Sequence, residues 1–492
     1  MNNLVVMPLL IPLLAGIVLV FIPGRVQLQK WIAGLAALLT LAASLALVGR
    51  VSREGIQVLS LGSWEAPYGI ALVADMLSSL LVATASVVAL ACVLYGYGAF
   101  DEGRLRTYVY PFIMLLLCGV NGSFLTGDLF NLFVCFEVML VASYVLISLG
   151  GGRLQLRESI KYVVVNMVSS TVFFVAIAYM YSITGTLNMA HLSQRVAAAG
   201  QDGLMTTVGL LFLIVFGTKS ALFLYIWLPG SYRVPPAPVA ALFAALLTKV
   251  GIYTILRMFT LIFYHQPQFT HTALIWLAGI TMLLGALGAI SHGHIRKILA
   301  YNIIVSVGFI VFGIGVLHRT ALAGALFYLM HDMIAKALVY IIGLALAGTA
   351  QLGESNESSP FRPWLGWLFF LTALAIAGVP PLSGFVGKLM ILQGGVANEY
   401  YVMAGVGLLT SLMVLYSLMK VFINGFWAER PMGEGEPPST GREALAPGVM
   451  LAVLVIGLGL GADWVMDLVQ QAADVMVDPS VYIEAVLGGA TP

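Results

Sequence analysis

Polar residues along this chain come in short clusters that separate apolar runs of membrane length. A bilayer core of about 30 Å takes roughly 20 apolar residues per helical crossing. The runs therefore predict fourteen helices, centred in 4 to 23, 31 to 49, 70 to 98, 108 to 126, 129 to 149, 160 to 184, 204 to 228, 237 to 263, 271 to 290, 298 to 317, 321 to 349, 364 to 394, 400 to 426 and 447 to 470. The opening "MNNLVVMPLL" has no basic segment before its apolar stretch, and it reads as a retained helix, not a cleaved signal. The polar stretch "AERPMGEGEPPSTGRE", residues 428 to 443, reads as a connector from its Pro, Gly and Glu content.

Composition agrees with the pattern. With 60% hydrophobic and 9% charged residues in 492, several soluble domains would lack polar surface, so the chain is an all-α integral membrane protein. A formal net charge of +1 gives no reason to expect nucleic acid as a partner. Cys92, Cys118 and Cys135 lie in apolar runs without metal-ligand spacing and read as packing or lipid-facing residues. Numbering each loop by the helix it follows, the odd loops carry most of the basic residues, among them Arg25, Lys30, Arg104, Arg153, Arg233, Arg296 and Lys297. The odd loops are thus expected on the cytoplasmic side, with both termini on the other.

Five charges fall deep inside the runs: Glu137 in the fifth, Lys219 in the seventh, Lys249 in the eighth, Lys336 in the eleventh and Lys388 in the twelfth. A charge at mid-membrane costs roughly 2.5 to 3.5 kcal/mol, so five left in lipid would cost on the order of 12 to 17 kcal/mol and must instead face a polar interior. A single lysine could snorkel to the headgroups, which explains five on five helices poorly. In the eleventh run Tyr328, Asp332, Lys336 and Tyr340 recur every fourth residue with His331 beside them, a polar lane on an oily helix. That lane could carry protons or simply pin the helix to a neighbour. The twelfth run is too long for one straight crossing, and Pro380, Pro381 and Gly384 interrupt it shortly before Lys388. Such a break frees backbone groups that need a protein-lined or watery cavity, the setting in which transporters place ion sites.

These residues carry a resemblance. "GSFLTGDLFNLFVCFEVMLVASYVLIS", "GTKSALFLYIWLPGSYRVPPAPVAALFAALLTKVGIY", "IRKILAYNIIVSVGFI", "HDMIAKALVY" and "GVPPLSGFVGKLMIL" resemble, in order, blocks of the antiporter-like membrane subunits shared by respiratory complex I, membrane-bound hydrogenases and multisubunit Mrp sodium/proton antiporters. Within that family the chain looks most like the D-type Mrp subunits, since it lacks the C-terminal extension of the longest paralogues. The resemblance implies N-terminal helices 1–3 (residues 1–107), two inverted five-helix repeats (helices 4–8, residues 108–263, and helices 9–13, residues 264–426), and a last segment, 427–492, with helix 14 and an acidic tail. It implies a break in helix 12. A break in helix 7 is left open, because no proline lies between Lys219 and Pro229.

The resemblance also implies a proton path through Glu137 paired with Lys219, then Lys249, then Lys336 with His331 and Asp332, and finally Lys388. Burial disfavours an ammonium and turns a lysine into a proton carrier, whereas a nearby carboxylate holds its proton in place, so Glu137 reads as an electrostatic gate. The implied function is proton translocation within a hetero-oligomeric sodium/proton antiporter of a prokaryotic plasma membrane, with sodium crossing at least partly through partner subunits and no cofactor. The alternative is a proton-pumping subunit of complex I or a membrane-bound hydrogenase. An enzyme is not indicated: "GFVGKL" lacks the upstream glycine and the following Ser/Thr of a phosphate-binding loop. The histidines of "SHGHIRK" sit in a basic loop with no metal-site spacing.

Overall fold

A computed structural model describes residues 3–105, 107–201, 203–347, 362–424 and 442–488. Where no water is available, backbone polar groups must be satisfied within the segment, and the apolar runs fold as helices for that reason. The crossings, labelled in chain order, are α1 (Met7–Val20), α2 (Val26–Glu54), α3 (Met76–Ala99), α4 (Val109–Leu125), α5 (Leu129–Ser148), α6 (Arg153–Thr184), α7 (Gly203–Ser220), α8 (Ala237–Leu261), α9 (Pro267–Ser291), α10 (Ile295–Gly315), α11 (Arg319–Ala347), α12 in two halves (Arg362–Ala377 and Ser383–Ala397), α13 (Tyr401–Phe422) and α14 (Arg442–Leu460). Eleven of these are long and apolar enough to span a bilayer, and three shorter apolar helices, α1, α4 and the first half of α12, complete the fourteen.

The interior is built around α8 and α11, whose spanning windows are wholly buried, with α10 and α3 nearly so. The outer helices α2, α6, α13 and α14 keep apolar faces exposed. The three cysteines are buried packing residues.

Several elements differ from the pattern-based expectation. The third run does not begin as helix at residue 70. Ala71–Ala74 pairs antiparallel with Gln57–Ser60, and α3 starts only at Met76. The cause is a capping box: the Asp75 carboxylate accepts from the Ser78 N–H at 2.9 Å, and the Ser78 hydroxyl accepts from the Asp75 N–H at 3.1 Å. Arg153, assigned to a loop by sequence, is the first residue of α6, which begins seven residues before the predicted run. Residues 428–441 of the expected connector lie outside the described residues, and Arg442 and Glu443 already belong to α14. The acidic tail forms two helices, Ala462–Val477 and Ser480–Leu487. The latter and the N-terminal turn Asn3–Val5 both pack on strand Gln57–Ser60, so the first and last described elements meet at one strand.

Candidate functional site

Two interrupted helices frame the candidate site. In α12 the first half ends at Ala377, Gly378 turns the chain with φ +87°, and Pro380 and Pro381 have no N–H to continue the ladder. The second half begins at Ser383 and packs so closely that a Cβ on Gly384 would lie 1.9 Å from the Ala375 carbonyl oxygen. Lys388, one turn further on and buried, donates to the Ala377 carbonyl and to Ser411 Oγ, both at 3.0 Å. The break therefore exposes a carbonyl, and the lysine satisfies it.

A break in α7, left open by the sequence, is present. The helix stops at Ser220, and Ala221 and Phe223 take left-handed conformations with φ +64° and +59°. Proline is not needed, because the freed groups find partners elsewhere: Thr281 on α9 accepts from the Phe223 N–H at 2.9 Å, and the Trp227 indole donates to the Thr218 carbonyl at 3.0 Å. Those partners lie far off in sequence or in side-chain chemistry that a search for Pro and Gly does not detect. Lys219 is buried in the last turn before this break, whereas Lys388 follows its own. The two lysines therefore stand on opposite sides of their breaks.

Glu137 and Lys219 do not meet directly as expected. The Ser170 hydroxyl of α6 stands between them, donating to Glu137 Oε1 at 2.5 Å and accepting from Lys219 Nζ at 3.0 Å. Glu137 is only half-buried. The Lys219 ammonium also lies 5.1 Å from the centre of the Phe136 ring.

At the centre of the bundle, Lys249, Asp332 and Lys336 are completely buried. Lys249 Nζ lies 2.8 Å from Asp332 Oδ2 and donates to the Ala244 carbonyl at 2.9 Å. Lys336 Nζ lies 3.5 Å from Asp332 Oδ1 and donates to the Asn302 carbonyl at 2.9 Å. The i, i+4 pair read from the sequence is thus the longer arm of a triad whose shorter arm crosses from α11 to α8. His331 turns toward the other break: its Nδ1 hydrogen-bonds Ser383 Oγ at 2.7 Å, and its ring stacks on Tyr328. The Tyr328 ring in turn lies 5.6 Å from the Lys388 ammonium.

The expected residues therefore fall into three groups: Glu137 with Lys219, Lys249 with Asp332 and Lys336, and His331 with the α12 break and Lys388. Between the first two groups the helices touch through backbone. A Cβ on Gly251, two residues past Lys249, would lie 2.7 Å from the Ser220 nitrogen. Thr248, next to Lys249, is buried, and its hydroxyl has no hydrogen-bond partner among the described residues. In a buried interior such donors and acceptors can hold a charge in place or pass a proton. Among the described residues, no group of three His, Cys, Asp or Glu could hold a metal ion.

Sequence reading missed a second buried pair. Arg257 Nη1 donates to Asp75 Oδ2 at 2.7 Å, and its guanidinium lies 4.9 Å from the centre of the Tyr482 ring of the tail. Tyr253 bridges from there to the Phe124 carbonyl at 2.7 Å. The available signal was the recurrence of Lys249, Tyr253 and Arg257 every fourth residue on α8, the same spacing that marks the lane on α11.

Residues 126–414 match the family model described as NADH:quinone oxidoreductase/Mrp antiporter, transmembrane. The chain is 47% identical over 491 residues to the D-type subunit of the Na(+)/H(+) antiporter of Bacillus subtilis (strain 168), covering 99% of this chain and 100% of the relative. The D-type antiporter subunit of Alkalihalophilus pseudofirmus is equally similar, at 47% identity with the same coverage. Among solved structures, a chain of the Mrp complex from Dietzia sp. DQ12-45-1b superposes with a TM-score of 0.91 at 29% identity, covering 99% of this chain and 100% of that one. With breaks in two helices, a buried lysine beside each and a charged triad between them, the chain belongs to the family of NADH:quinone oxidoreductase and Mrp antiporter membrane subunits.

Proposed function

We propose that this chain is the proton-translocating subunit of a multisubunit sodium/proton antiporter. The proposed route runs from Glu137 and Lys219 through Lys249, Asp332 and Lys336 to His331 and Lys388. The observation that carries it is the triad: two ammonium groups share one carboxylate with no exposure to solvent, at 2.8 Å and 3.5 Å, between two helix breaks. Burying each ion costs several kcal/mol of hydration, and ionisable groups kept inside a membrane protein at that cost are by default a functional site. A proton leaving Lys249 or Lys336 leaves the other lysine to neutralise Asp332, so the carboxylate keeps a counter-charge in either state. That is what a relay needs.

In this reading, residues 108–263 and 264–426 each contribute one broken helix, the odd loops face the cytoplasm and both termini face outward in a prokaryotic plasma membrane. The names of the similar subunits support sodium as the counter-ion. Sodium would cross at least partly through partner subunits. The purified complex tests both parts. Reconstituted in liposomes, it should exchange sodium for protons and show no flavin or iron-sulfur absorption, which would mark a redox-driven pump instead. The chain reconstituted alone should fall well short of the complex; an equal rate would place the sodium path within it.

A further inference from the structure

Four arginines from four separate segments converge on one cavity, at the end of the bundle where α3, α5 and α9 finish. The cavity holds about 480 Å³ and is lined by Arg104, Arg153, Arg233 and Arg296, with His294 and Gln155. Among the described residues no carboxylate lines it. Arg296 is held by the backbone, its Nη1 donating to the Arg233 and Pro235 carbonyls at 3.0 and 2.9 Å. Outside the lining, Asp101 approaches Arg104 at 3.7 Å. A smaller adjoining cavity of about 240 Å³ shares Arg233 and adds Lys161 and Lys297; its one carboxylate, Glu158, is bound to Lys161 at 2.8 Å.

Four guanidinium groups around one space repel sodium and hydronium, so this is no cation entrance. Planar guanidinium forks suit the oxygens of a phosphate. The surroundings say what bears that phosphate. On α6, Leu154 lines the cavity and is exposed, and Leu156, Ile160, Val164 and Val168 further along the same helix are exposed too. A phosphate site at the start of a helix whose outer surface is apolar, joined to it by Leu154, fits an amphiphile. We infer that this cavity binds the phosphate of an anionic phospholipid whose acyl chains lie along α6. The inference does not depend on the proton path.

Native mass spectrometry of the detergent-purified complex, titrated with phosphatidylglycerol or phosphatidylcholine, tests it. The unaltered complex should retain phosphatidylglycerol in preference. Each basic group near a membrane surface contributes a factor of about five, so Arg153→Gln with Arg233→Gln should bind about 30-fold more weakly. Arg153→Lys with Arg233→Lys should keep most of the affinity, and Arg195→Gln, on the separate helix Met189–Ala199, should match the unaltered complex. If the glutamine pair does not assemble, Arg153→Gln alone carries the test, with a loss of about fivefold. Equal binding by the glutamine variants and the unaltered complex overturns the inference. So does displacement of the lipid by inorganic phosphate alone, which would mark a free-phosphate site, or cross-linking of position 154 to an acidic segment of another subunit with no lipid retained.

Discussion

Across the break in α12, the Lys388 ammonium donates to the carbonyl of Ala377, the last helical residue before the break, at 3.0 Å. One lysine thus serves as backbone partner and as the terminal charge of the proposed path. Lys388→Ala should abolish sodium-dependent proton uptake in everted vesicles. The amount of assembled complex should stay close to normal, because deleting a buried cation removes its desolvation cost while leaving one carbonyl unpaired, a loss of about 1–3 kcal/mol. Disappearance of the complex from the membrane would instead assign Lys388 a scaffolding role.

Ser170 gives a second test, and one the sequence did not suggest. Its hydroxyl joins Glu137 to Lys219 by hydrogen bonds at 2.5 and 3.0 Å. A hydrogen bond to a charged group contributes about 1.5–3 kcal/mol, so Ser170→Ala should slow transport roughly tenfold or more with the complex still assembled. Ser170→Thr keeps the hydroxyl and should restore it. Full activity in the alanine variant would show that the carboxylate acts on the lysine through space alone.

What the sequence revealed and what it hid have physical causes. Crossings are legible because each is set by a local quantity, twenty or so apolar residues, and Glu137, Lys219, Lys249, Lys336 and Lys388 stand out because charge in an apolar run is rare. The α12 break is legible from Pro380 and Pro381. The α7 break is not, since no Pro or Gly marks it: Ala221 closes a turn in which the Leu222 N–H donates to the Gly217 carbonyl at 2.8 Å, and the Phe223 N–H finds its partner, Thr281, on another helix. Pairing is hidden for the same reason: Asp332 has Lys336 four residues away, yet its nearer partner, Lys249, comes from another helix. Ser170 is one of many serines until folding sets it between two charges.

The Asp75–Arg257 pair should matter for stability. Asp75→Asn leaves a buried guanidinium without its counter-charge, at a cost of about 3–5 kcal/mol, and loosens its stacking on Tyr482. Reduced abundance of the complex and faster proteolysis of the tail near residue 480 are expected. Asp75→Asn combined with Arg257→Met should recover much of the loss, because the stranded charge is gone.

At the surface, the tail is also tied down by Asp474 and Arg319, whose Nη2 donates to Oδ2 at 2.9 Å. Hydrogen bonding from Arg319 holds the Asp474 carboxyl below its ordinary value. A carboxyl depressed in the folded state contributes stability above its unfolded pKa, about 3.9, and loses it as pH falls through the folded value. The pair is exposed, so it is worth under about 1 kcal/mol. Hydrogen exchange in Ala462–Val477 should be insensitive to pH from neutrality down to about 5, after correction for intrinsic rates, and should accelerate modestly below about 4. Arg319→Gln should remove that acid-dependent step.

Glu137 separates a gate from an inert ion pair. Glu137→Gln keeps volume and hydrogen bonding to Ser170 but removes the charge that favours a protonated Lys219, and transport should fail. Adding Lys219→Gln leaves no lone buried cation. If the two charges only stabilise each other, this double variant should regain both assembly and activity. If they form the gate, assembly can return but transport cannot, because the proposed route then has no titratable side chain between α5 and Lys249. The Gly251 contact makes the comparison clean, since it depends on the backbone at Lys219 and Ser220 and not on the substituted side chain. Sodium-dependent proton uptake normalised to assembled complex decides between them: appreciable activity in the double variant removes Glu137 and Lys219 from the path.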